Sequence, residues 1–344
     1  MLMLSGNTAS RYFLMSPLQL TLHLQGAYMY KHLFTGAIGV ALSCQAMAQS
    51  YQFEGYASYS KSNPDYDYGY DSDLDLASVA GTYYFSPVST DRHPLQEASF
   101  FAKSSSLSFS YVGVKAESNY GYEDDYIREE FHYTSRISSF VIAAETYVFN
   151  DLIYLGGLVA HSKEKQTDTS TFYSDTYSYS NGTRTYTDRD SSNDWRVNLG
   201  IAPTEGLLIW SEFKKDVDIS DSWNLNTKYV MEFNASALNI QGGIAKNAYS
   251  TFADSTTLLY PSSMKLNFNE SDDMNINSIY VVGDYYFDKT LSLGIGANRS
   301  SVRHVNESYL IRGQKFFTDK FSVLLQYTTG EEIENYSIGA SLRF

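Results

Sequence analysis

Residues 335–344 read N-Y-S-I-G-A-S-L-R-F. Tyr336, Ile338, Ala340, Leu342 and Phe344 fall on one face of an extended strand; Ser337, Gly339, Ser341 and Arg343 fall on the other, because strand side chains alternate with period two. Such a strand suits a wall between lipid and water. It also suits the edge of a soluble sheet, so the decision rests on what precedes it.

Working back through the chain, the same theme recurs: about ten alternating residues, then a break. The candidate strands are Ser50–Ser60, Asp73–Phe85, Ser104–Glu117, Ser138–Phe149, Leu152–Lys163, Asn193–Ala202 and Leu207–Lys215. After them come Asn224–Phe233, Ala237–Lys246, Met274–Phe287, Thr290–Arg299, Glu307–Phe317, Phe321–Thr329 and Asn335–Phe344. In the first of them Tyr51, Phe53, Gly55, Ala57 and Tyr59 share a face.

The connections alternate too. Tight turns fall at Asn150, Pro203, Asn234, Asp288 and Thr318, and longer polar segments lie between them at 61–72, 118–137, 164–192, 216–223, 247–273, 300–306 and 330–334. Short turns at one rim and long loops at the other are the pattern of a transmembrane antiparallel β-barrel. The expected fold is therefore all-β, a barrel of about 14 strands (alternatively 12 or 16) with short periplasmic turns and long extracellular loops. One connection breaks the rule. Ser86–Lys103 is long on the turn side, and Pro94 followed by Leu95-Gln96-Glu97-Ala98 can open a short helix. It is expected either to tuck into or under the lumen or to hide a missed strand pair.

Residues 1–48 read as a secretory signal region. Tyr30-Lys31-His32 precedes the apolar run Leu33–Ser43 and a small-x-small site at Ala46-Met47-Ala48, with Met29 the natural start and cleavage expected after Ala48. Residues 49–344 are then one barrel domain. The apolar run is too short to span a bilayer, which takes about 20 residues. Cys44, the only cysteine, lies before the cut, which leaves no disulfide or thiolate chemistry to the rest. A lipid anchor at Cys44 would need a better box than Ala41-Leu42-Ser43.

Composition agrees with a barrel. There are 31 Tyr and 20 Phe against 6 Pro, which favours strands and supplies interfacial aromatics. The formal charge is −14, and residues 1–48 hold only Arg11 and Lys31 as charged groups. No basic nucleic-acid footprint fits that sum. The mean hydropathy is negative, which argues against a helical membrane protein but not against a barrel with a polar inner wall.

By parity the inward face carries Glu145, Arg196, Glu212, Lys228, Glu232, Asp284 and Arg312, with Asp194, Asn198, Asn226, Asn239, Gln241 and Gln314. Ile142, Val197, Leu199, Tyr229, Ile240 and Leu325 point outward. The inward set is expected to line a pore, where charged walls tune ion selectivity. Alternatively these charges only pair across strands. Asp65, Asp67 and Asp71 have calcium-loop spacing but lack the terminal bidentate Glu, so no metal site is assigned. Glu123-Asp124-Asp125 is a second acidic cluster. No cofactor is expected.

Catalysis finds little support. His93, His132, His161 and His304 are the histidines after residue 48. His161 and Ser162, adjacent in a strand, face opposite ways, so neither can activate the other. There is no nucleophile elbow, HExxH or phosphate loop, and the chain is not expected to be an enzyme.

A resemblance enters at two places. Gly81-Thr82-Tyr83-Tyr84-Phe85-Ser86-Pro87-Val88 followed by Pro94-Leu95-Gln96-Glu97-Ala98 resembles the opening of the general porin family of Gram-negative bacteria. Tyr336, Gly339, Leu342 and Phe344 resemble the terminal signal read by the outer-membrane barrel-assembly machinery. The resemblance implies an outer-membrane porin passing small hydrophilic solutes and ions by passive diffusion, surrounded by outer-membrane lipid and lipopolysaccharide, and open to forming a homotrimer. A barrel plugged by its own loops, serving as receptor, adhesin or structural protein, is the alternative.

Overall fold

The computed structural model describes residues 50–66, 70–123, 127–174, 182–214, 223–246, 277–300, 307–330 and 333–344. The signal region, Asp67 and the side chains of Asp65 and Asp71 lie outside the described residues, as does the Glu123–Asp125 cluster apart from the backbone of Glu123.

Antiparallel strands form one closed sheet of 14. The first six are β1 (Ser50–Tyr66), β2 (Tyr70–Ser89), β3 (Ser106–Glu123), β4 (Ile127–Val148), β5 (Ile153–Ser174) and β6 (Gly182–Thr204). The remaining eight are shorter: β7 (Leu207–Lys214), β8 (Trp223–Glu232), β9 (Ala237–Lys246), β10 (Asn277–Asp288), β11 (Leu291–Ser300), β12 (Glu307–Thr318), β13 (Phe321–Gly330) and β14 (Ile333–Arg343). Each strand pairs with its sequence neighbour, and β14 pairs with β1 to close the ring.

Parity sorts the side chains as expected. On β6, Trp195, Val197, Leu199 and Ile201 are exposed on the outside, while Arg196 and Asn198 between them are buried inside. Phe140, Val159, Tyr229, Ile240, Ile279, Val281, Leu293, Ile295, Ile311 and Leu325 continue this apolar belt. An exposed apolar surface of this extent around a closed barrel is a lipid-facing surface.

Two details depart from the sequence reading. The register slips between Tyr51 and Phe53, so Tyr51 turns inward and is buried while Phe53 stays exposed outside. A β-bulge inserts a residue and flips every side chain on one side of it, which alternation alone cannot reveal. The polar stretches 118–137 and 164–192, expected as loops, are mostly strand. Tyr120 pairs with Phe131, Thr134 with Thr167, and Thr171 with Thr183. Above the belt both faces meet water, so these strands have no reason to alternate in hydrophobicity and read as loops. Among the described residues they raise β3–β6 into a wall taller than the other strands.

Closure is built at the turn rim. The amides of Gln52 and Phe53 donate to the Phe344 carbonyl at 2.8 and 3.1 Å, the Phe344 amide returns to the Phe53 carbonyl at 2.8 Å, and their rings lie 5.9 Å apart. Gly339 faces inward beneath the Tyr56 ring, and a Cβ there would collide with the Tyr56 hydroxyl. Gly339→Val should therefore lower barrel stability by about 1–3 kcal/mol through overpacking, read as a shift of the urea midpoint in detergent. Phe344→Ala should lower the fraction of chain that becomes heat-modifiable on electrophoresis by more than Asp319→Ala does.

Candidate functional site

The site is assembled where the connection between β2 and β3 enters the barrel. Residues 90–105 begin with a bend, form a 3-10 turn at Leu95–Glu97 and continue as helix α1 (Ala98–Ala102). Pro94 opens the turn with φ −49°, an angle its ring already favours. Lys103 closes the helix in a left-handed conformation at φ 47°. A helix this short is not stable alone. Its burial holds it: Pro94, Leu95, Glu97, Ala98 and Phe100 are all buried.

The segment reaches nearly every part of the wall. Phe100 packs with Tyr154 of β5, Ala202 of β6, Leu208 of β7 and Val230 of β8. Ala98 packs with Tyr51, Tyr84 and Val88 of β1 and β2. The Leu95 amide donates to the Lys289 carbonyl at 2.8 Å, and Arg343 Nη1 donates to the Leu95 carbonyl at 2.7 Å. His93 stacks on Phe101, with ring centroids 3.9 Å apart, and its Nδ1 lies 2.8 Å from Glu232 Oε1. This is a plug across the turn end of the lumen.

Its electrostatic centre is Glu97, fully buried at 0% exposure. Lys228 Nζ, 2% exposed, lies 2.6 Å from Glu97 Oε2 and 4.8 Å from the Phe100 ring centroid. The Tyr286 hydroxyl donates to Glu97 Oε1 at 2.6 Å. Gln96 accepts from the Tyr286 and Ser292 hydroxyls, each at 3.3 Å. Arg343 is the second anchor: its Nε donates to Glu54 Oε1 at 2.8 Å while its guanidinium lies over the Tyr51 and Phe316 rings. A carboxylate so far from water persists only when paired and hydrogen-bonded.

Farther from the plug the wall pairs its own charges. Arg312 Nε and Nη2 donate to the Asp284 carboxylate at 2.7 and 2.6 Å, a two-pronged pair joined by Asn239 Nδ2 at 3.1 Å. The pair straddles β11 at Gly294, whose missing side chain leaves room for both groups. Arg196 Nη1 and Glu212 Oε2 stand 3.7 Å apart. Glu145 hydrogen-bonds with the Tyr154 hydroxyl. All seven candidates thus lie on the inner face. Lys228, Glu145 and Glu232 surround the plug, and Asp284, Arg312, Arg196 and Glu212 form pairs above it. The strand pattern carried no sign of Glu97, Arg343 or Tyr286 as partners in this network. The one available signal was an acid placed in a helix-opening segment on the wrong rim.

Toward the opposite rim the inner wall changes character. Serines dominate, including Ser58, Ser60, Ser78, Ser110 and Ser139, with Ser58–Ser78 and Ser139–Ser162 hydroxyl pairs at 2.7 Å. Higher still, the tall wall encloses a concave space of about 600 Å³ lined by Tyr120, Phe131, Tyr133, Asp168, Arg184 and Tyr186. His161 and Ser162 do face opposite ways: Ser162 bonds inward to Ser139, and His161 Nδ1 lies 2.9 Å from Asn193 Oδ1 on the outside.

No family model matches the chain, and no curated protein matches it by sequence. Solved structures do match in fold. The outer membrane protein Omp33 of Acinetobacter baumannii aligns with a TM-score of 0.54 at 15% identity, covering 86% of this chain and 99% of that one. A deletion mutant of the monoaromatic hydrocarbon channel TodX aligns with a TM-score of 0.51 at 8% identity, covering 86% and 91%. With its closed sheet and lipid-facing belt, the chain is a multi-pass β-barrel of the bacterial outer membrane. The turn rim, where the plug enters, is the periplasmic one.

Removing one partner from a buried ion pair strands the other charge. Lys228→Met should therefore cost about 3–5 kcal/mol, seen as an earlier urea midpoint. Lys228→Met combined with Glu97→Gln should recover most of that loss, because no unpaired charge remains.

Proposed function

We propose that this protein is an outer-membrane diffusion channel for small hydrophilic solutes whose resting state is closed at the periplasmic end by the Thr90–Ser105 segment. The observation that carries the reading is the seating of Glu97, fully buried, on Lys228 and Tyr286 across the lumen. The polar remainder of the inner wall supports a hydrophilic solute: Ser, Asn, Gln and paired ions replace bulk water, whereas an apolar cargo would gain nothing from them. The general-porin resemblance of Gly81–Val88 supports the same class of function. Closure by the plug distinguishes it from an always-open porin.

Opening needs no cofactor. It requires displacement of α1 and the exchange of the Glu97–Lys228 and Leu95–Arg343 contacts for water. Arg196, Glu212, Asp284 and Arg312, paired across strands, then flank the path and set a transverse field. In this reading the seven inward residues line the channel only when the plug moves.

A second reading has its own observation. The β3–β6 wall and its aromatic concavity at Tyr120, Phe131 and Tyr133 favour a receptor role at the cell surface. Single-channel recording in planar bilayers separates the two. The intact barrel should stay largely silent, and a barrel with residues 90–104 replaced by Asn-Gly should show stable ohmic steps. Equal, steady conductance from both proteins would overturn the closed resting state. A heat-modifiable but silent excised barrel would overturn the channel and leave the receptor.

A further inference from the structure

The outer face of the tall wall carries a row of cations set side by side. Lys115 of β3 pairs with Arg136 of β4, Arg136 with Lys165 of β5, and Lys165 with Arg189 of β6. Parity places all four outside: their neighbours along the strands, Ser135 and Glu164, face inward and bond to each other at 2.9 Å. Like charges directly opposite one another repel, and adjacent strands are only about 4.8 Å apart. Such a row is not what a free-standing sheet selects.

Among the described residues only one of these four cations has an acidic partner. Lys115 is held at one end by Glu117, 2.7 Å away. Arg136, Lys165 and Arg189 are exposed and make no ion pair within 4.0 Å among the described residues, and neither does Lys163 beside them. Acids are close in sequence but on the wrong face. In Lys163-Glu164-Lys165 and Asp188-Arg189-Asp190 the period-two alternation sends the cations out and the carboxylates toward the lumen. A chain of net charge −14 has thus concentrated positive charge on one outward strip.

The height of the strip identifies what covers it. The uppermost lipid-facing side chains here are Tyr111, Phe140, Val159 and Trp195. Arg136 lies four residues beyond Phe140 on the same face, about 13 Å along the strand. The row between holds Gly113, Ser138, Lys163 and Ser191, small except for the lysine, which leaves a shallow step above the aromatics. A lipid whose acyl chains lie against Phe140 and Val159 would bring its headgroup to this step.

We propose that the outward Lys115–Arg136–Lys165–Arg189 row, with Lys163, is a docking surface for the phosphate groups of phosphorylated glycolipids in the outer leaflet. Each phosphate sits between neighbouring strands and accepts from two cations, so the bound anion converts the repulsive row into an alternating one. Arginine contributes forked donors and lysine a point charge, both suited to phosphate.

The test uses the full-length barrel in neutral detergent, with the Arg136→Gln/Lys165→Gln/Arg189→Gln variant and a Lys289→Gln/Lys320→Gln control at the periplasmic turns. Native mass spectrometry would follow binding of a bis-phosphorylated glucosamine-disaccharide lipid, of its dephosphorylated form, and of inorganic phosphate by thermal shift. The wild type and control should bind the phosphorylated lipid at least tenfold more tightly than the triple variant. Without lipid, the triple variant should unfold at the same temperature as the wild type or higher, since repulsion has been removed. Retention of binding within twofold in the triple variant would overturn the proposal. Equal binding of the dephosphorylated lipid, an equal shift with inorganic phosphate, or a lower unfolding temperature of the lipid-free variant would do so too.

Discussion

Lipid offers no hydrogen-bond partner to a backbone amide, and the rest of the structure depends on that constraint. A sheet can satisfy it only by having no edge. Here the last edge is removed where Gln52 and Phe53 meet Phe344 and where β14 runs along β1. Closure with an even number of strands brings both ends of the sheet to one rim. It also fixes which side chains see lipid, because one register slip would carry Trp195 inward and Arg196 into the membrane. The bulge at Tyr51–Phe53 shows how this freedom is used: it sits at the rim and turns one tyrosine in against the plug.

Inside, a barrel of this circumference leaves a space that side chains near the periplasmic end do not fill from the wall alone. The β2–β3 connection fills it. Burying Glu97 there is tolerable because Lys228 of β8 and Tyr286 of β10, two strands apart in the ring, supply a cation and a donor. Arg343, on the closing strand, clamps the Leu95 carbonyl and couples the plug to the seam. Plug and wall are therefore one electrostatic unit, and loosening either is felt by the other. The upper lumen, lined by serine hydroxyls, carries no such network among the described residues and offers space instead.

The periodicity of the chain made the barrel, the strand count and the sidedness of its tight turns readable, because lipid on one face and polar wall on the other force a period of two. Where that contrast stops, legibility stops. Residues such as Thr167, Thr169 and Thr183 pair in register, yet both of their faces meet water, so they carried no alternating signal. Each inward charge could be placed on the correct face, but its partner could not be named. Asp284 and Arg312 meet across an intervening strand, and Glu97 meets Lys228 through a fold-back that only three-dimensional closure creates. Pro94 announced the turn of the plug, while nothing local announced its direction.

The account turns on whether the Thr90–Ser105 segment is seated within the lumen. A single thiol at Ala98, placed in a Cys44→Ser background, reports this directly, since Ala98 is 1% exposed against Tyr51, Tyr84 and Val88. In the folded barrel, that thiol should react with a small charged thiosulfonate far more slowly than one at Asp151 in the neighbouring turn, and should become reactive when Lys228 is replaced by Met. Equal reaction rates at positions 98 and 151 in the otherwise intact barrel would contradict the account.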